Sequence, residues 1–453
     1  MVQTPLLDAL LHFSEENGLR MHMPGHKGKP LPMEGRLKSM AQIDYTELGP
    51  TGNLFDGDGA IRAAEDLWAE TLGMEECLFL TGGSTEGLHA ALTAACRPGE
   101  EILLDRNCHR AVFNSAALLD LRPVYLPRKW REKADILDAV TPETVENAMK
   151  AHPNVKTICI TSPTYYGMLS NIPEISRVVK AHGGKLIVDG AHGPHLFFLG
   201  ETGLNRADLL VLSAHKTLPA MGQTALLLAN GFPHKALRRA AALYGSSSPS
   251  YVMMASLDAA RAYLCGEGAE KYRKAAEAVA RLREKFPSVK PEVGLQLDPT
   301  RLTLLAKDGF AAARALEQEG IWPEMADRGH VVLILTCEDG EEELARLEQA
   351  LTKCRAYWGK SEQADVGLPP EGVQKMTLRA ARFSPVEAVR LKDAEGRTAA
   401  EQIAPYPPGV PVVAPGEEIT KKALAYLEKV GYNMEQEIEA VREFPFGERE
   451  EPV

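Results

Sequence analysis

Residues 209–230 read Leu209-Leu-Val-Leu-Ser-Ala-His-Lys-Thr-Leu-Pro-Ala-Met-Gly-Gln-Thr-Ala-Leu-Leu-Leu-Ala-Asn230. The apolar runs 209–212 and 225–229 each have the length and the small flanking residues of a buried strand. Between them lies a polar turn, Ser213-Ala-His-Lys-Thr217, closed by Pro219 and Gly222. A lysine held where two buried strands meet is desolvated. Its pKa falls and its amine becomes free for Schiff-base chemistry. The same letters also suit a surface lysine in a strand-to-strand loop, so the rest of the chain must decide.

Upstream, helix and strand patterns alternate from residue 60. Helices are expected over 60–72, 85–95, 111–119 and 172–182, with strands over 76–80, 101–105, 123–126, 155–161 and 185–189. Nearly all-apolar strands separated by crossover helices predict an α/β fold with a mostly parallel sheet buried on both faces. Ligands of such sheets bind at the carboxyl ends of the strands.

Bulk composition narrows the class. The 453 residues carry 62 acidic and 51 basic side chains, a net charge of -11, which disfavours nucleic acid or an anionic membrane as partner. No apolar run reaches the ~18 residues that a membrane span needs. Met1-Val-Gln-Thr-Pro-Leu-Leu-Asp8 lacks the basic-then-apolar order of a signal peptide, so a cytoplasmic location is expected. Seven scattered cysteines without a CxxC pair read as reduced thiols, with no metal site.

At the N-terminus, residues 4–17 read as an amphipathic helix, followed by the turn-rich Met21-His-Met-Pro-Gly-His-Lys-Gly-Lys-Pro30 and a loop-like arm up to Gly59. Beyond residue 250, helices over 251–265 and 269–286 lead into shorter alternating segments, including 301–305 and 330–335. A Pro- and Gly-rich tract centred on 404–417 follows, then a helix over 420–430 and a charged end expected to fray. The expected units are an N-terminal helix and arm (1–59), a large domain (60–265), a small α+β domain (266–366) and a C-terminal α+β domain (367–453).

Four strand ends carry chemistry. Thr81-Gly-Gly-Ser-Thr-Glu-Gly87 leads into a helix, and glycines, hydroxyls and free amides there make an anion site from Gly83, Ser84 and Thr85. Ser84 as a plain helix cap is the alternative. Asp105-Arg-Asn-Cys-His-Arg110 places His109 where its ring can lie over a heteroaromatic, or simply pack or cap. Asp189 ends an apolar strand and needs a partner, since an unpaired buried charge is costly; a protonated ligand nitrogen is one. Ser213 and His215 flank Lys216. An anion turn, a stacking ring, a counter-ion and a lysine amine are together what pyridoxal 5'-phosphate requires.

At these residues the chain resembles a known family. Met23-Pro-Gly-His-Lys-Gly28, Asp105-Arg-Asn-Cys-His109, Ser213-Ala-His-Lys216, Pro405-Tyr-Pro-Pro-Gly-Val-Pro411 and Pro415-Gly-Glu417 look like the bacterial ornithine/lysine/arginine decarboxylases. These are aspartate-aminotransferase-like enzymes of pyridoxal phosphate fold type I. The likeness runs from residue 5 to 430 and is greatest to the short Gram-positive form, which lacks an N-terminal wing. The resemblance implies that Lys216 joins the cofactor aldehyde, Asp189 pairs with the ring nitrogen and His109 stacks on the ring. It implies that Gly83, Ser84 and Thr85, with Ser213 and His215, hold the phosphate, and that the segment around Ser247 reaches a phosphate across a homodimer interface. It places His26, Lys27 and Glu417 near the distal end of a basic amino acid, arginine before lysine or ornithine. Lys216 or His192 would return a proton to Cα. The chain departs from the family at Gly190, where an acidic residue is usual, and at Leu54-Phe55-Asp56, both implied to touch the substrate pocket.

Rival chemistries stay open. An aminotransferase would clamp the substrate carboxylate, with Arg379 and Arg382 as candidates. A desulfurase would need Cys108 or Cys159, aldolase chemistry is a further option, and a non-catalytic cofactor-binding protein is the reading outside enzymes.

Overall fold

Seven strands build the central sheet: β1 (Glu76–Leu80), β2 (Glu101–Leu104), β3 (Arg122–Tyr125), β4 (Thr157–Thr161), β5 (Lys185–Asp189), β6 (Leu209–Leu212) and β7 (Ala225–Ala229). This computed structural model describes residues 2–16, 19–24, 26–29, 40–127, 129–200, 202–292, 294, 296–361, 367–405 and 409–442. Their spatial order is β1-β7-β6-β5-β4-β2-β3. The pairs β2–β3, β2–β4, β4–β5 and β5–β6 are parallel, whereas β7 runs antiparallel to both β6 and β1. The reversal follows from the connection. The residues between β6 and β7, 213–224, hold only one helical turn, Ala214–Thr217, and a parallel return needs a full helical crossover. The expected mostly parallel α/β sheet is therefore present, and the Lys216 turn joins two adjacent strands.

The two-residue period of the strands sorts side chains onto two faces. Leu210, Leu212, Leu226 and Leu228 join one apolar cluster with helices Gly59–Leu72, Ile172–Ala181 and Tyr251–Tyr263. Leu209, Val211, Ala225 and Leu227 join the other with helices Gly83–Ala95, Arg110–Leu118 and His234–Ala241. Both faces are thus covered, which is why the strands read as unbroken apolar runs.

The N-terminal helix, Pro5–Glu15, buries Leu6 and Leu10 in the first of these clusters. Its first turn is capped from a distance: Asp258 Oδ2 accepts from the amides of Leu6 (2.9 Å) and Leu7 (3.2 Å).

A third apolar cluster forms around the antiparallel strands Arg301–Leu305, His330–Ile334 and Met325–Ala326 and the helix Ala269–Lys285. A fourth forms around the helix Lys421–Lys429 and the strand pair Val386–Arg390 and Glu437–Val441. The last strand corrects the expectation of a wholly frayed end. Glu437-Ile-Glu-Ala-Val441 alternates polar and apolar residues, and Ile438 and Ala440 are buried. Residues 443–453 lie outside the described residues, as do 406–408 of the proline-rich motif.

All seven cysteines are free thiols; six are buried and Cys265 is exposed. No described helix is long and apolar enough to cross a membrane.

Candidate active site

The carboxyl ends of the parallel strands share one edge of the sheet, and the site is assembled there. After β1, the helix Gly83–Ala95 begins with Gly82 as its cap and no side-chain capping bond. Ser84 therefore lies inside the first turn and is not the cap. Gly83 has φ +75° and faces the Gln223 carbonyl, a conformation that disfavours any side chain. Glu86 turns back to accept from the Gly82 amide (2.7 Å), and burial pushes its carboxyl up to about 7.

After β2, His109 is the N-cap of the helix Arg110–Leu118, its Nδ1 accepting from the Ala111 amide (3.2 Å). Capping and an exposed ring thus coexist, since His109 keeps a large part of its surface open. Desolvation lowers its pKa, the Lys216 charge lowers it further, and Asp189 opposes both.

Asp189, at the end of β5, is 3% exposed, and its Oδ1 accepts from the Ala191 amide (3.2 Å). Three residues on, His192 is also buried, and its Nε2 lies 3.0 Å from Lys216 Nζ. The ring of Tyr165 packs on it at 4.6 Å between centroids. Desolvation drives the His192 pKa well down, helped by Lys216, Arg301, His109 and His195, so its ring is neutral at ordinary pH. The structure thus brings Lys216, His192, His109 and Asp189 together.

Ser213 is fully buried beside Lys216, with its hydroxyl 3.4 Å from His215 Nδ1, which also lies 3.0 Å from the Thr224 carbonyl. Burial lowers the Lys216 pKa, with Asp189 acting against it. Acylation of Lys216 followed against pH is therefore expected to have its midpoint below the ~10.4 of an ordinary lysine. A midpoint at or above that value would contradict the desolvated amine.

The donor set fits pyridoxal phosphate. Among the described residues Asp189 has one oxygen without a hydrogen bond. Thr161, paired with Asp189 across β4 and β5, has a buried hydroxyl with no partner. The Ser84 hydroxyl makes no hydrogen bond among the described residues, and an amine stands within reach of a histidine. Asp189 and Thr161 thus lie at paired positions with unmet polar atoms that a polar ligand would satisfy.

Other expected residues stand apart. His26 pairs with Asp44 (3.1 Å) and Lys27 bonds the His22 carbonyl, with no contact to the Lys216 cluster among the described residues. Ser247 lies in an exposed loop. Glu417 is 2% exposed and bound by Arg106 through both oxygens, at 2.5 and 2.6 Å, while its Oε2 also accepts from the Ala414 amide. Among the described residues its carboxylate is held by Arg106 and the Ala414 amide.

Arg379 bonds the Leu118 carbonyl (2.9 Å) and Arg382 the Ala400 carbonyl (3.2 Å), so both tie helices and loops together away from Lys216. Burial drives the Cys108 and Cys159 thiols well above their ordinary range, the opposite of a thiolate nucleophile. Gly190 is explained by packing: a Cβ there would meet Leu210 Cδ1 at 2.8 Å. At the other departure, Phe55 sits against Gly245, which also faces Glu86, so the 54–56 segment borders the Gly82–Gly83 turn.

Comparison with known proteins agrees with this architecture. Residues 4–294 match the family described as Orn/Lys/Arg decarboxylase, major domain, and residues 368–438 match its C-terminal domain. The chain belongs to the Orn/Lys/Arg decarboxylase family, pyridoxal phosphate-dependent decarboxylases of amino acids. It is 33% identical over 462 residues to "Uncharacterized protein YaaO" of Bacillus subtilis, covering 95% of this chain and 94% of that one. It is 27% identical to the arginine decarboxylase of Bacillus anthracis, covering 94% and 93%. The fold is similar to that of the Francisella novicida lysine decarboxylase LdcF, with a TM-score of 0.80 at 20% identity, covering 97% of this chain and 81% of that one.

Proposed function

We propose that the chain α-decarboxylates a basic amino acid, arginine in preference to lysine or ornithine, releasing CO2 and agmatine, cadaverine or putrescine. The observation that carries the reading is the half-buried Lys216 amine, 3.0 Å from a neutral histidine and under the charge of Asp189. Relatives named arginine decarboxylase, alike over nearly the whole chain, support the order of substrates.

When bound, pyridoxal phosphate supplies an electron sink for the pair left on Cα as CO2 departs. In this reading Lys216 holds the cofactor aldehyde, Asp189 keeps the ring nitrogen protonated and His109 covers the ring face. Gly83, Ser84 and Thr85, with Ser213 and His215, hold the phosphate, and Ser247 approaches it from a second copy. His26 and Lys27 approach the distal end of the substrate. His192 bears on the Lys216 amine.

A homodimer is part of the proposal. It is supported by the exposed apolar side chains of Leu19, Met21 and Met23 (87%, 79% and 65% exposed), which suit a covering surface. We also infer a cytoplasmic location and the four units 1–59, 60–265, 266–366 and 367–453.

The deciding experiment supplies purified protein and cofactor with arginine, lysine and ornithine in turn. CO2 and the matching amine are measured. Release from arginine at the highest kcat/KM is expected. No gas from any of the three overturns the decarboxylase reading, and keto-acid formation would favour the aminotransferase.

A further inference from the structure

His192 is held from both sides, and the second holder is a residue of the small antiparallel sheet. Arg301 opens the strand Arg301–Leu305 and is 1% exposed. One terminal nitrogen donates to the Tyr165 carbonyl (3.0 Å), and the other reaches His192 Nδ1 at 3.4 Å. Asp298 Oδ2 stands 3.8 Å from the same guanidinium. The other oxygen of Asp298 takes His195 Nε2 (2.9 Å) and the amide and hydroxyl of Thr300 (2.9 and 3.0 Å). A buried cation is thus balanced by a buried carboxylate, as burial of either requires.

A guanidinium has five donors, no acceptor, and no accessible neutral form. The nitrogen facing it must therefore carry the lone pair, and in a neutral imidazole the proton then belongs to the other nitrogen. That other nitrogen is Nε2, which faces Lys216 Nζ. A donor at Nε2 needs an acceptor, and an amine offers one only when it is unprotonated. The groups around His192 are Lys216, Arg301, His109, His195 and the Tyr165 ring. Among them a doubly protonated ring would set Nδ1–H against the Arg301 donors.

We propose that Arg301 is a positioning residue for Lys216: through His192 it fixes the Nε2–H tautomer, which donates to Nζ and holds that amine as a free base aimed by a hydrogen bond. One consequence concerns the proton on Cα. Giving up Nε2–H would leave His192 an anion, so His192 orients Lys216 and is not the acid at Cα. A protonated Lys216, by contrast, faces a donor, loses this bond and is released toward the site. Only this consequence rests on the decarboxylase reading; the tautomer does not.

The test is nitrogen NMR on the full chain labelled with 15N-histidine, with and without pyridoxal phosphate, and with His192 assigned by its loss in His192→Gln. The wild-type spectrum is expected to show Nδ1 as a bare acceptor and Nε2 protonated at neutral pH. In Arg301→Met the preference is lost and proton density moves onto Nδ1. In the same variant, acylation of Lys216 at neutral pH slows severalfold, because a neighbouring positive charge and the Nε2 donor are both lost. A wild-type His192 protonated on Nδ1, or on both nitrogens, overturns the proposal. An Arg301→Met protein with an unchanged His192 spectrum does so too. Should that variant not fold, the wild-type spectrum alone still decides. No substrate is present in these measurements, so failure of the CO2 assay and failure of the tautomer are separate results.

Discussion

A Lys216→Ala chain is expected to hold no reducible, covalently attached cofactor and to lose turnover by on the order of 10³-fold or more. Lys216 sits between two fully buried strands, on one helical turn whose carbonyls and amides are tied into the fold: its own amide donates to the Ser213 carbonyl (3.2 Å). Alanine is compatible with that turn, so the fold is retained while the amine is removed. Hydride reduction of the loaded wild-type protein followed by peptide mapping should place the cofactor within residues 209–230. Attachment at any other lysine, or attachment persisting in Lys216→Ala, would displace Lys216 from the centre of the site.

Glu417→Ala is expected to lower folding stability by about 3–5 kcal/mol, the usual result of leaving one member of a buried ion pair alone. Arg106 is 3% exposed and gives two bonds to Glu417, one to the Val412 carbonyl (3.0 Å) and one to the Pro411 carbonyl (3.3 Å). Its guanidinium also lies 4.7 Å from the centre of the Tyr125 ring. Removing the carboxylate leaves that cation without its countercharge inside the protein. Replacing both partners, as in Arg106→Met with Glu417→Leu, should recover most of the loss, because two apolar side chains need no compensation. Denaturant unfolding of the two single variants and the double variant measures this. KM for the amino acid in a mild variant, Glu417→Gln, should stay near wild type. A rise in KM without a fall in stability would return Glu417 to the substrate side, where the family resemblance places it.

Glu417 shows where letters stop being sufficient. The family resemblance places this carboxylate beside a basic substrate group. The guanidinium it meets is the chain's own, 311 residues away at Arg106, and no local pattern links the two. Arg301 is similar, for it begins a strand of Leu and Thr and meets His192, 109 residues away, only in the fold. Asp189, His109 and the Gly82–Gly83 turn were legible for a geometric reason. A parallel sheet presents all its carboxyl ends on one edge, so residues just past the strands meet whatever their separation in sequence.

Helix Pro142–Ala151 is faint in the sequence although its start is marked by Thr141 as N-cap and Pro142 at the first turn. Its buried face has only Thr144, Val145 and Met149, too few apolar residues to draw a stripe. Thr161 ends a strand in the sequence pattern, but its hydroxyl gains meaning only from its place beside Asp189.

The distribution of thiols has a practical outcome. Six of the seven are sealed in the interior, and the remaining one, Cys265, lies in the π-helical stretch Leu264–Gly268. That stretch joins the helix lying on the large sheet to the helix Ala269–Lys285 packed on the small one, and the backbone leaves helical geometry at Gly266. Nature has in effect left a single-cysteine protein with its attachment point at the joint. A fluorophore or spin label placed there without mutagenesis would sense how the two sheets move against each other as ligand enters.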